Sequence, residues 1–86
     1  MTPANPIKAL QRRSERSTMQ YTLYQSNQGD EACYSISISD EEYGSAFVED
    51  VTDDRSAAER FLQLLYEEAV EPCHLLAVVE DSLPLR

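Results

Sequence analysis

The sequence predicts an α+β domain in which a small antiparallel sheet carries two C-terminal helices on one face. Three observations predict it: a period-two run of apolar and hydroxyl residues over 34–39, a Gly29-Asp30 turn in front of that run, and two apolar-striped segments that meet at Glu71-Pro72. The expected order is β-β-β-α-α, a hairpin and a short third strand followed by the helices.

Residues 1–18 lack sustained apolar periodicity, although Asn5-Pro6 suits a short helical turn, and they are expected to form a disordered basic tail. Met19 stands immediately before the first strand-like run and offers an alternative start of translation, which intact mass of the native protein would settle. The folded domain is expected to span 19–86.

From Gln20 to Ser26, Tyr21 and Leu23 alternate with Thr22 and Tyr24, a pattern that suits a half-buried strand. Tyr34, Ile36 and Ile38 alternate with Ser35, Ser37 and Ser39 in the next one, so apolar side chains share one face and hydroxyls the other. A two-residue turn at Gly29-Asp30 works because glycine accepts a positive φ at the first central position. With Gln28 and Glu31 flanking that turn, Leu23 opposes Ile36 and Tyr21 opposes Ile38. All four apolar residues then lie on one face. Asp40 to Gly44 is a polar break, and Ser45 to Val51 forms the third strand, with either Ala46 and Val48 or Phe47 and Val51 turned inward.

Thr52, Asp53 and Asp54 are N-cap candidates and Ser56-Ala57-Ala58-Glu59 fits a capping box, so a helix is expected to start between 53 and 57. Its stripe is Ala58, Phe61, Leu62, Leu65 and Ala69, with Leu64 and Tyr66 at the margins. It should end near Val70, because Glu71 precedes a proline and the α conformation is disfavoured there. Pro72 suits the first position of a second helix over 73–83. The apolar run from Leu75 to Val79 also fits a strand, but the i, i+4, i+8 spacing of Leu75, Val79 and Leu83 favours a helix whose inward stripe is Leu75, Leu76, Val79 and Leu83.

Charge divides the chain. Residues 1–18 hold Lys8, Arg12, Arg13 and Arg16 against Glu15, a net of +3, while Met19 to Arg86 carries fifteen carboxylates against three arginines, a net of −12. Such a surface repels phosphate backbones, so direct nucleic-acid binding by the folded part is not expected. No apolar run approaches the roughly 20 residues needed to span a bilayer, and the N-terminus lacks the apolar core of a signal peptide. No membrane association and a cytoplasmic location are therefore expected, with Cys33 and Cys73 as reduced thiols.

Three motifs, Tyr34-Ser35-Ile36, Asp50-Val51-Thr52 and His74-Leu75 followed by Val78-Val79-Glu80-Asp81 and Leu83, resemble a family of small, uncharacterised Firmicutes proteins known only as a domain of unknown function. The resemblance covers roughly residues 20–84. Its most specific part is the segment from His-Leu to Val-Val-Glu-Asp. This chain departs from the pattern at Ala77, where the family has an acidic residue, at Ser82, where it has an aromatic one, and at Ser35, where it has glycine. The resemblance implies the two-helix ending and a bacterial cytoplasmic setting, and it assigns no catalytic or ligand residue.

The chemistry-bearing residues are sparse. His74 is the sole histidine, no paired CxxC spacing accompanies Cys33 and Cys73, and adjacent residues at a helix start diverge, so neither metal nor cofactor is expected. Residues 19–86 contain no lysine, which removes a Schiff-base lysine and a P-loop lysine. Glu67, Glu68, Glu80 and Asp81 crowd the C-terminal ends of the two helices, where the macrodipole disfavours negative charge by about 0.3–1 kcal/mol each. Solvation of a small acidic protein explains such a face by itself, and a negative patch for a basic partner explains it functionally.

His74, Glu80 and Asp81 are the candidate partner-binding residues, His74 and Asp81 sharing a helix face seven residues apart. The expected function is a non-enzymatic interaction or regulatory module that binds another protein or itself as a homodimer. The alternatives are an acidic inhibitor that mimics nucleic acid in the groove of a basic protein, and a small hydrolase with His74 in a pocket.

Overall fold

The computed structural model describes residues 5–13, 17–28, 30–42 and 44–82. Four strands, β1 (Asn5–Arg13), β2 (Thr18–Gln28), β3 (Glu31–Asp40) and β4 (Gly44–Thr52), form one antiparallel sheet in the order β1-β2-β3-β4. Helix α1 (Arg55–Glu67), a 3-10 turn at Pro72–His74 and helix α2 (Leu75–Ser82) follow. The α+β class and the two-helix ending stand. The sheet has four strands rather than three.

The added strand is the correction. Asn5–Arg13, in the segment expected as a disordered tail, pairs with β2 from Asn5↔Gln25 to Arg13↔Thr18, with a bulge between Pro6 and Lys8. Ile7 and Leu10 pack against the core, three residues apart because the bulge breaks the period of two. Arg12 fixes the strand to α1: its guanidinium donates to the Tyr66 carbonyl at 3.1 Å and lies 5.7 Å above the Tyr66 ring. A cation thereby meets a helix C-terminus that has no basic residue of its own.

The central hairpin has the expected register, with Gln28↔Glu31, Leu23↔Ile36 and Tyr21↔Ile38, while Gly29 of the expected turn lies outside the described residues. Tyr21, Leu23, Ile36 and Ile38 are all fully buried beneath the helices. The polar break at Asp40 is a built turn: Asp40 accepts from the Glu42 amide at 2.6 Å and from the Ser17 hydroxyl at 3.0 Å. Gly44 leaves it at φ +88 with open space where a Cβ would sit, so glycine is needed for its conformation and not for room.

Both readings of β4 are partly right. Val48 pairs with Ile36 and Ala46 with Ile38, turning Ala46 and Val48 toward the core, while Phe47 stays 49% exposed on the opposite face. Asp50 then adopts φ 54 and its amide donates to the Ser35 hydroxyl at 3.2 Å. This irregularity between Val48 and Thr52 reverses the alternation, so Val51 also reaches the core.

Asp54, not Ser56, caps α1. Its carboxylate accepts from the Ser56 amide at 3.0 Å, and Glu59 instead pairs with Arg55 at 3.0 Å rather than closing a capping box. Ala58, Phe61, Leu62 and Leu65 are buried as the stripe requires. The helix ends three residues before Val70 because Ala69 turns left-handed at φ 52. The Ala69 amide donates to the Tyr66 carbonyl and the Val70 amide to the Leu65 carbonyl, the bond pattern of a Schellman cap without its usual glycine.

Pro72 opens the 3-10 turn and is buried. Beyond it the expected stripe is corrected: Leu75 and Val79 are buried and Val78 half-buried, but Leu76 is 58% exposed. One residue of helix turns the chain by about 100°, so a stripe centred on Leu75, Val78 and Val79 carries Leu76 around to solvent. Leu83 lies outside the described residues.

Candidate interaction surfaces

Helix α2 presents Leu76, Ala77, Glu80 and Asp81 to solvent, and His74, at the end of the preceding 3-10 turn, extends that face. Helical spacing places Leu76 beside Glu80 on one flank and Ala77 beside Asp81 on the other, with His74 one turn before Ala77. The structure thus puts the three candidate residues on a common exposed surface but on two sides of it. Their side chains form no hydrogen bond or ion pair among the described residues. The His74 amide donates to the Glu71 carbonyl at 3.0 Å, which anchors the turn and leaves the imidazole outside. Leu76 escaped the sequence reading because Leu75-Leu76 and Val78-Val79 admit two phases of the same helical period.

The sheet has a second surface, the face away from the helices. Tyr24 and Phe47 lean toward each other across β3, their ring centroids 5.6 Å apart in an edge-to-face arrangement. Beneath them Ser35 and Thr22 are almost wholly buried, and the Ser37 hydroxyl donates to the Tyr24 phenol oxygen at 3.4 Å. At the far end of this face Gln11, Thr18, Gln20, Ser39, Asp40 and Ser45 line an open concavity of about 400 Å³. His74 is not among its lining residues.

Tyr21, whose phenol is clearly perturbed, sits at neither surface. Burial raises the Tyr21 phenol above its ordinary value of 10.0, Asp40 and Glu71 raise it further, and Arg12 opposes them. Its hydroxyl donates to the Val70 carbonyl at 3.1 Å and lies 3.6 Å from the Met19 sulfur. That places a protonated phenol under the link between the helices, a packing role.

Chemically, the α2 face supplies carboxylates, one imidazole and an exposed aliphatic side chain, and the sheet face supplies two aromatic rings among hydroxyls and amides, with the Asp40 and Glu41 carboxylates at its concave end. Among the described residues no group of three or more His, Cys, Asp or Glu is arranged to hold a metal ion, and no helix is long and apolar enough to cross a membrane. No curated protein and no solved structure matches the chain. A family model does, over residues 2–84, a span that includes β1 as well as the hairpin and both helices: the chain belongs to DUF6514, a family of unknown function.

Proposed function

We propose that the protein is a non-enzymatic interaction or regulatory module of the bacterial cytoplasm that binds a basic protein through the solvent face of α2. The observation that carries this reading is the exposure of Leu76, a large aliphatic side chain 58% open to solvent, beside Glu80 and next to Asp81 and His74. Packing α2 on the sheet needs Leu75, Val78 and Val79 and uses none of these four. A short helix with acidic residues near its C-terminus is held against its own dipole, so the acids serve something other than helix stability. Interfaces of this kind place an apolar anchor within a charged rim, the rim steering the approach of an oppositely charged partner.

Affinity capture with the full chain tests the proposal. Wild-type protein should retain a partner that Leu76→Asp loses, and Glu80→Arg with Asp81→Arg should weaken retention most at low salt. No protein retained by wild type and lost by Leu76→Asp at either low or high salt overturns it. Competition by DNA or RNA for the captured partner distinguishes a mimic of nucleic acid from an adaptor.

A further inference from the structure

We infer that the outer edge of β1 binds an acidic segment of another protein in extended conformation, which joins the sheet as a further strand antiparallel to Lys8–Arg13. β1 stands at one end of the sheet order, so one side of its backbone pairs with β2 and, among the described residues, no strand lies against the other. Such an edge keeps a row of amide and carbonyl groups that a second chain can pair. Pro6 and the bulge before Lys8 interrupt only its beginning. From Lys8↔Leu23 to Arg13↔Thr18 the register is regular, long enough for a short added strand. The opposite edge is less usable, because Asp50 at φ 54 breaks β4 just beyond Val48.

Charge chooses the occupant. β1 carries Lys8, Arg12 and Arg13 and no carboxylate, and β2 carries no charged residue at all. Glu15 and Arg16 cancel in the connection between them. The nearby carboxylates are engaged. Glu59, seven residues before Tyr66 and so on the same flank of α1, pairs with Arg55 at 3.0 Å, and Asp40, two strands from β1, accepts from Ser17 and the Glu42 amide. Arg12 is engaged too, by the Tyr66 carbonyl, and its charge acts on the Tyr21 phenol together with those of Asp40 and Glu71. Lys8 and Arg13 are exposed and form no ion pair among the described residues, so they carry the recognition. A second β1 laid against this edge would set like charges opposite each other. The edge therefore rejects a copy of itself and accepts a strand of opposite sign.

Pairing with β2 fixes which way each side chain of the edge is turned. Lys8, Leu10 and Arg12 stand opposite Leu23, Tyr21 and Met19 on the helix side, and Ala9, Gln11 and Arg13 opposite Thr22, Gln20 and Thr18 on the open side. An antiparallel segment meets Arg13 first and Lys8 last, with the half-buried Leu10 between them. The fitting sequence is acidic at its first and sixth positions and apolar at its fourth, with β-branched residues elsewhere. For so short an edge, dissociation constants of about 0.1–1 mM are expected.

NMR titration of the isotope-labelled full chain with the end-capped peptide Glu-Thr-Thr-Val-Thr-Glu at low salt tests the inference. The amide signals of Lys8–Arg13 should shift and saturate in that range. Lys8→Glu and Arg13→Glu should each weaken binding by about threefold or more, and the double variant should bind Lys-Thr-Thr-Val-Thr-Lys instead. The neutral changes Lys8→Gln and Arg13→Gln serve if a reversal disturbs the circular dichroism. Arg60→Glu, at an exposed position of α1, takes the net charge from −9 to −11 as either β1 reversal does, yet should leave binding within about twofold of wild type. Glu-Pro-Pro-Val-Thr-Glu should not bind, because adjacent prolines remove a donor from both alternating sets of backbone amides. No saturable shift, shifts centred outside β1, an equal loss in Arg60→Glu, or equal binding of the proline peptide overturns the inference. So does a peptide-free dimer that the peptide dissociates, since the occupant is then a second copy.

Discussion

Helix α1 runs for 13 residues, is capped at both ends and buries four side chains, whereas α2 runs for eight, enters through a 3-10 turn without a side-chain cap and buries Leu75 and Val79. Isolated helices below about 12–15 residues are marginal in water, so α2 owes its helicity to the few contacts that hold it, while α1 adds cap and stripe to a nearly sufficient length. The difference teaches a division of labour. The element that closes the core is over-determined, and the element that presents the candidate binding face is held just enough to keep its shape.

The largest expected effect tests whether α1 closes the core. Leu62→Ala should lower unfolding stability by about 2–5 kcal/mol, because Leu62 is fully buried and its removal leaves a cavity over the sheet. Denaturant titration followed by circular dichroism reads it. A loss below about 0.5 kcal/mol would mean that α1 is not integral to the cooperative unit.

Adjacent leucines in α2 offer the sharpest contrast. Leu75→Ala should cost about 2–4 kcal/mol, and hydrogen exchange should show α2 opening well before α1. Leu76→Ala should change stability by no more than about 0.5 kcal/mol while weakening any partner that uses the exposed face. Equal costs at the two positions would show that α2 sits in a different rotation.

Tyr21 joins the two regions, since its hydroxyl donates to the Val70 carbonyl in the segment that connects the helices. Its raised pKa means that the unfolded chain loses this proton first as pH rises. The associated stability is fully present below the unfolded value of 10.0 and is lost above it, as pH climbs toward the higher folded value. Tyr21→Phe should cost about 1 kcal/mol at neutral pH and flatten that alkaline decline. A mutant curve parallel to wild type above pH 10 would remove the phenol from this role.

The N-terminal ends of the two helices differ in the same sense. Asp54→Ala should cost about 1 kcal/mol by freeing the Ser56 amide, and Glu71→Ala, whose side chain caps nothing, should stay within about 0.5 kcal/mol. Thermal unfolding of the two variants side by side measures the asymmetry.

The parts legible in the sequence are those where two local rules agree. The hairpin register follows because two residues between Gln28 and Glu31 fix the residue count and the period of two at Tyr21, Leu23, Ile36 and Ile38 then selects the same pairing. Where a bulge intervenes, the pattern misleads. Ile7 and Leu10 reach one core at a spacing that no regular strand has, so β1 resembles a tail, and Asp50 returns Val51 to the face that Val48 already occupies. For the candidate surface, His74, Glu80 and Asp81 emerge from chemistry that packing does not require. Leu76 and the Tyr24–Phe47 pair do not, since an apolar side chain in the sequence is assigned to the core unless tertiary geometry turns it out.

The C-terminal end of α1 carries the last test, and its sign is opposite to the others. Ala69 holds φ 52, a conformation in which Cβ crowds the backbone of any L-residue, at the cap position that most helices give to glycine. Two hydrogen bonds, from Ala69 to Tyr66 and from Val70 to Leu65, hold it there, and Arg12 draws the Tyr66 carbonyl into the same arrangement. The strain is thus imposed by the junction that lets the chain turn from the well-anchored helix toward Pro72 and α2. Ala69→Gly relieves it and also loosens the unfolded chain, and the first effect prevails wherever the native φ is positive. The variant should gain about 0.5–1 kcal/mol in denaturant unfolding with no change in the exchange rates of α2 relative to α1. A loss of stability would instead mean that the methyl group packs well enough to outweigh the strain, and that this junction belongs to the core rather than to the hinge between the two regions.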